Sequence, residues 1–141
     1  MIESKMVRLL DDVLTGDAAL LELYPADTVL GELLDAHNHT DLSAVARPGH
    51  EYDAEIYSTF GVVHHIEPQN ILEFSLECDV VLMRNPLDVL TTAQLEELLH
   101  SMYESCITVM ISSDREIDYP MDDLPDKEIT RGSQFIYLWL R

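Results

Sequence analysis

Histidines and carboxylates are the groups in this sequence whose spacing suits chemistry. The run Asp35-Ala36-His37-Asn38-His39-Thr40-Asp41 sets two imidazoles either side of one residue, between carboxylates. His-x-His with flanking acids can ligate zinc or another divalent cation. His50, His64 or His65 could complete such a set. The pattern is short, and no His-Glu-x-x-His helix accompanies it. A small metal-dependent enzyme using His37 and His39 is therefore one alternative reading, and no residue is assigned as a metal ligand. His64-His65 lies late in an expected strand, which turns the two rings to opposite faces. Cys78 shares the apolar parity of its segment, and Cys106 falls at a helix end, where the dipole does not favour a thiolate. Neither a Gly-x-Ser-x-Gly elbow, a glycine-rich phosphate loop nor a dinucleotide fingerprint is present. The doublets Asp11-Asp12, Glu96-Glu97 and Asp122-Asp123 read as solvated faces in so acidic a chain. The reading assigns no catalytic residue, no cofactor and no enzymatic activity.

The elements around these residues follow from periodicity. Ile2, Met6, Leu9, Leu10, Val13 and Leu14 form an apolar helical stripe that Gly16 stops. Asp17 can cap a short helix from Ala18 to Tyr24, ended by Pro25. Asp27 can cap another with Val29, Leu30, Leu33 and Leu34 buried. Residues 36–53 read as an exposed loop. Glu55 to Ile66 reads as extended, and Leu72 to Leu82 alternates apolar with polar, as a half-buried strand does. Thr91 and Gln94 form a capping box for a helix carrying Leu95, Leu98, Leu99, Met102 and Cys106. Ile107 to Ile111 is a short strand, and residues 112–128 form an acidic, proline-broken loop. In the last strand, Ile129 to Leu140, Phe135, Tyr137 and Trp139 share one face, while Ile136, Leu138 and Leu140 share the other. Such a strand is covered on both sides, one cover being the domain's own helices and the other either a neighbouring subunit or a two-layer core of the same chain.

Composition narrows the function classes. The chain has 141 residues, enough for one domain, 1–141, with exposed loops near 36–53 and 112–128. An apolar fraction of 47% supports a core. The N-terminal Met1-Ile2-Glu3-Ser4-Lys5 lacks a signal-like pattern, no apolar run is long enough to cross a membrane, and two cysteines make no disulfide framework. Twenty-seven acids against eight bases give a net charge of −19. That argues against ordinary binding to phosphate backbones and against docking on anionic lipid. Lys5 and Lys127 are the only lysines, and the acids are spread along the chain. This composition resembles that of proteins from salt-in halophiles. An acidic DNA mimic that inhibits a DNA-binding enzyme is a rival reading.

The order of elements resembles the tail-terminator, or minor tail completion, proteins of long-tailed phages and archaeal tailed viruses. The stretches carrying the likeness are Thr15-Gly16-Asp17-Ala18-Ala19-Leu20, Leu72 to Leu82, the helix from Thr91 to Ser105, Ser113 to Tyr119 and Gly132 to Leu140. The resemblance implies an α+β fold, with a mainly antiparallel sheet and helices on one face. It implies a structural virion subunit, assembled in the host cytoplasm, that forms a homohexameric ring capping the tail tube and joining it to the neck. Its partners would be itself, the tail tube protein and a neck or connector protein, with DNA only passing through the lumen. Another tail or neck subunit is the neighbouring alternative. Phe135, Tyr137 and Trp139 are then expected at the subunit interface. Asp114, Glu116, Asp118, Asp122, Asp123, Asp126 and Glu128 are expected on the lumen or docking rim.

The spread of carboxylates generates a prediction independent of fold. Self-repulsion fades as salt shortens the Debye length to about 3 Å at 1 M. Thermal stability is expected to rise between dilute and molar KCl, and full stability in low-salt buffer would contradict the halophilic reading.

Overall fold

Continuous apolar runs, rather than alternating ones, build the centre of this molecule, a computed structural model in which residues 1–48, 58–74, 76–117 and 124–141 are described. In chain order the elements are α1 (Ile2–Val13), β1 (Leu20–Leu23), α2 (Val29–Ala36), β2 (Leu42–Ala46), β3 (Val62–His65), a 3₁₀ helix (Pro68–Glu73), β4 (Val80–Arg84), a second 3₁₀ turn (Pro86–Asp88), α3 (Thr92–Glu104), β5 (Thr108–Ser113), β6 (Lys127–Arg131) and β7 (Gln134–Trp139). They form one seven-stranded sheet in the order β3-β2-β1-β4-β5-β7-β6. β1 to β5 run parallel to one another, and β7 runs antiparallel to both β5 and β6.

Parallel neighbours need crossover connections, and the crossovers cover the sheet. Leu20, Val80, Leu82, Met110, Ile136 and Leu138 face α1 and α2, meeting Met6, Val7, Leu10, Leu30 and Leu34. The opposite parity, with Leu21, Leu23, Val81, Met83, Val109, Ile111, Tyr137 and Trp139, faces α3 and the 3₁₀ helix through Leu95, Leu98, Leu99, Met102 and Ile71. The fold is thus α/β with a mixed, mostly parallel sheet and helices on both faces. This corrects the expected mainly antiparallel sheet covered on one face.

Particular elements show why. Residues 18–24 were expected to be helical and instead hold β1: Leu20, Leu21 and Leu23 are buried on both sheet faces, and a short apolar run carries no period that separates strand from helix. The expected loop at 36–53 contains β2; residues 49–57 lie outside the described residues. The alternation of Leu72 to Leu82 does not make one strand. Phe74, Leu76 and Cys78 pack against the core beneath α3, and β4 begins only at the unbroken run Val80 to Met83. The expected strand from 129 to 140 is a hairpin, turned at Gly132, whose φ of +61° suits glycine. The N-terminal helix, α2, the capping box of α3 and the strand after it agree with the sequence reading.

The aromatic face of β7 is covered by this chain itself. Tyr137 and Trp139 are buried, their rings stack at 6.0 Å, and the Tyr137 hydroxyl accepts the Ile117 N–H at 3.1 Å. Replacing Trp139 by Ala is therefore expected to destabilise the isolated chain by about 3–5 kcal/mol in denaturant unfolding. A loss under ~1 kcal/mol would show that this face is not core.

Candidate functional site at the strand-order reversal

Chain order reverses between β1 and β4: β1 leads outward to β2 and β3, β4 outward to β5. In open α/β sheets this reversal opens a crevice beyond the carboxyl ends of the strands, where ligands bind. Here that point lies between residues 22–28, at the end of β1 and after it, and residues 84–88, at the end of β4 and after it.

Both strand exits carry a non-glycine residue in the left-handed region, Tyr24 at φ 53° and Asn85 at φ 48°. Such residues cost of order 1–3 kcal/mol and persist where surrounding bonds over-determine them. Those bonds are present. The Tyr24 N–H donates to the Val45 carbonyl at 2.8 Å, and its hydroxyl reaches the Ile66 carbonyl at 2.7 Å, across the ends of β2 and β3. The Asn85 N–H donates to the Ser112 carbonyl at 2.7 Å, and its Oδ1 accepts the Asp114 N–H at 2.8 Å. Both sides of the crevice are thereby tied to the neighbouring strands.

The charged groups lie on the α1/α2 face. Arg84 Nε donates to Glu22 Oε2 at 2.9 Å, Nη1 to Asp27 Oδ1 at 2.7 Å and Nη2 to the Asp27 carbonyl at 3.2 Å. Glu3, from the start of α1, stands 3.5 Å from Nη1. Asp27 Oδ1 also accepts the Val29 N–H at 3.0 Å, at the start of α2, whose N-cap residue is Thr28. The side chains of Arg84 and Glu22 are only 7% and 1% exposed. Three carboxylates thus surround one guanidinium, a local excess of negative charge.

Burial pushes the Glu22 carboxyl up to about 7; Arg84 opposes this, while Asp27 and Glu3 add to it. Burial also works against the charged forms of Arg84 and Asp27. The charge of Glu22 and the bonds to Asp27 outweigh it at Arg84 and hold its pKa above the ordinary value, while Arg84 and the Val29 N–H hold that of Asp27 below. Glu22 Oε1 has no partner, one of three such buried side-chain atoms among the described residues, with His39 Nδ1 and Thr59 Oγ1. A buried acceptor left open costs about 1–3 kcal/mol, more when charged.

The residues singled out from sequence fall elsewhere. His37 Nδ1 and His39 Nε2 meet the two oxygens of Asp11 at 2.7 and 2.8 Å, joining α1 to the segment after α2. Burial works against the Asp11 carboxylate, but the bonds to His39 and His37 outweigh it and lower its pKa. Among the described residues no group of three His, Cys, Asp or Glu side chains is arranged to hold a metal ion. Asp114 and Glu116 follow β5 onto the exposed rim beside the crevice, where Arg115 pairs with Asp88 at 2.8 Å. Asp126 accepts the Leu140 N–H at 2.6 Å, and Glu128 lies on β6. Asp118, Asp122 and Asp123 lie outside the described residues. Glu22 and Arg84 were not singled out, and Asp27 was read only as a helix cap. Their signal is a charge inside an apolar run, Glu22 within Leu20 to Leu23 and Arg84 after Val80 to Met83.

Comparison with solved structures gives the architecture its context. An RNA methyltransferase from Salinibacter ruber in complex with S-adenosyl-L-homocysteine aligns over 98% of this chain and 88% of its own, with a TM-score of 0.67 and 14% identity. The rRNA methyltransferase aviRa from Streptomyces viridochromogenes aligns over 98% and 83%, at 0.65 and 12%. Coclaurine N-methyltransferase, bound to N-methylheliamine and S-adenosyl-homocysteine, aligns over 79% of this chain and 35% of its own, at 0.54 and 13%. This chain shares the fold of these methyltransferases. No family model and no curated protein matches the sequence.

This overturns the tail-terminator reading. A sheet of parallel strands with crossover helices is not the small ring subunit expected, and the similar folds belong to methyltransferases. The homohexameric ring, the tail tube and neck partners and the passing DNA fall with it, as does the expectation of no enzymatic activity. The lumen role given to the acidic loop and the interface role given to Phe135, Tyr137 and Trp139 lose their basis.

The site tests the cofactor that such folds imply. The β1–α2 turn reads Tyr24-Pro25-Ala26-Asp27-Thr28 and holds no glycine, so the close backbone approach of a dinucleotide fingerprint is not available. The side chains do fit the amino-acid end of an S-adenosyl group. The vacant Glu22 oxygen is a buried acceptor for an ammonium, in surroundings whose excess charge favours a cation.

Glu22 also sets a pH dependence. Its folded pKa of about 7 lies above the ordinary 4.5, so the native state holds this proton more tightly than the unfolded chain. Its contribution to stability is complete below about pH 4.5 and falls as pH rises towards 7. Glu22→Gln is expected to flatten this part of the stability profile, measured by denaturant unfolding at constant salt. Equal slopes in both proteins would contradict the assignment.

Proposed function

We propose that this chain is a methyltransferase whose methyl donor, of the S-adenosylmethionine type, is held beyond the carboxyl ends of β1 and β4. The observation that carries this reading is the unpartnered oxygen of buried Glu22, in an acid-rich crevice at the strand-order reversal. The fold supports it, since similar structures hold S-adenosyl-L-homocysteine. Such a donor supplies an electrophilic methyl group on a sulfonium, ready for direct attack by an acceptor nucleophile.

The chain's own part is binding, orientation and charge. Glu22 receives the ammonium as a carboxylate. Asn85, locked by Ser112 and Asp114, fixes the opposite wall of the crevice. The rim of Asp88, Asp114 and Glu116, in a chain of net charge −19, favours a basic or neutral acceptor over a phosphate-rich one.

Isothermal titration of the wild-type chain with S-adenosylmethionine in molar KCl tests this reading. One saturable site per chain is expected, weakened at least about tenfold in Glu22→Gln, which corresponds to about 1.4 kcal/mol. No saturable binding at millimolar donor would overturn the reading.

A further inference from the structure

Arg84 is the buried cation at this point of the sheet among the described residues, and it pairs with the Glu22 carboxylate that a cationic ligand would need. Its Nε holds Glu22 Oε2 and its Nη1 holds Asp27 Oδ1, leaving Glu22 Oε1 open beside it. We propose that Arg84 is a built-in competitor that sets ligand specificity: its guanidinium, tethered to β4, occupies the Glu22–Asp27 acceptors in the empty crevice, and only a ligand bringing its own cationic end displaces it.

This rests on the donor reading but goes beyond it, because it assigns a selective role to a residue of this chain. The geometry supplies the argument. The grip on Asp27 lies at the outer end of the arginine, where the Asp27 side chain is half exposed, while the grip on Glu22 is buried. A ligand therefore meets the outer contact first. Exchange of guanidinium for ammonium leaves the buried charge count unchanged, so the swap avoids stranding a bare carboxylate. A neutral ligand offers no such exchange and leaves Arg84 in place. Glu3, within 3.5 Å of Nη1, gives the displaced guanidinium an acidic neighbour to turn towards.

Asp27→Asn is the variant that tests the competitor. It removes the outer charge that holds Arg84, yet keeps a side-chain oxygen to accept the Val29 N–H at the start of α2. S-adenosylmethionine affinity is expected to rise at least about tenfold, since the inner acceptor then faces a weaker rival. 5′-Methylthioadenosine, which lacks the amino-acid end, is expected to bind Asp27→Asn and wild type alike. Unchanged S-adenosylmethionine affinity in Asp27→Asn, or an equal gain for both ligands, would overturn the competitor role while leaving the donor reading standing.

A second readout needs no ligand affinity. The Arg84 Nε–H resonance of the free wild-type chain is expected to be protected from solvent exchange and to lose that protection on saturation with S-adenosylmethionine. An unprotected Nε–H in the free chain, or one unchanged at saturation, would also overturn it. Binding of neither ligand by either protein would overturn the donor reading, and the competitor role with it.

Discussion

A parallel sheet must be covered on both faces, and that constraint organises the molecule. Each parallel neighbour requires a crossover, and the crossovers must alternate sides for both faces to be buried. Crossing one way from β1 and the other way after β4 leaves adjacent connections diverging at one point of the sheet edge. The crevice is thus a by-product of covering hydrophobic surface. Its floor is the strand ends, Glu22-Leu23 of β1 and Met83-Arg84 of β4, set by the same burial that stabilises the fold.

Placing charge at that floor is expensive unless it is matched. An isolated ion this deep carries a desolvation cost of several kcal/mol, so Arg84 and Glu22 stand or fall together. The match is incomplete in one direction. Three carboxylates face one guanidinium, one carboxylate oxygen is unpartnered, and the Glu22 proton is held to about pH 7. A pair evolved for stability alone would be served as well by apolar residues of similar volume. The surplus acid and the unpartnered oxygen, between exits of positive φ at Tyr24 and Asn85, are what the proposed binding site rests on.

The sequence made some of this legible. Amphipathic α1 and α3, with its capping box, could be read because a helical period and a cap are local properties. β1 and β4 were hidden for the opposite reason: strands buried on both faces carry no period, and Leu72 to Cys78 alternates without being a strand. The glycine fingerprint that announces a ligand-binding turn is replaced by Tyr24-Pro25-Ala26, so the turn read as a helix end. His37 and His39 drew attention through spacing alone, and in the fold they serve Asp11. Glu22 and Arg84 were visible only as charges in apolar runs, and what they do depends on strands 62 residues apart being neighbours.

The central claim is that the working site lies at the carboxyl ends of β1 and β4. Mapping amide shifts on addition of S-adenosylmethionine tests it most directly. The account predicts perturbations concentrated at residues 22–28 and 84–88, with the strand starts around Asp17, Asp79 and Cys106 unaffected. Shifts clustered at those strand starts, or no shifts at either end, would contradict it.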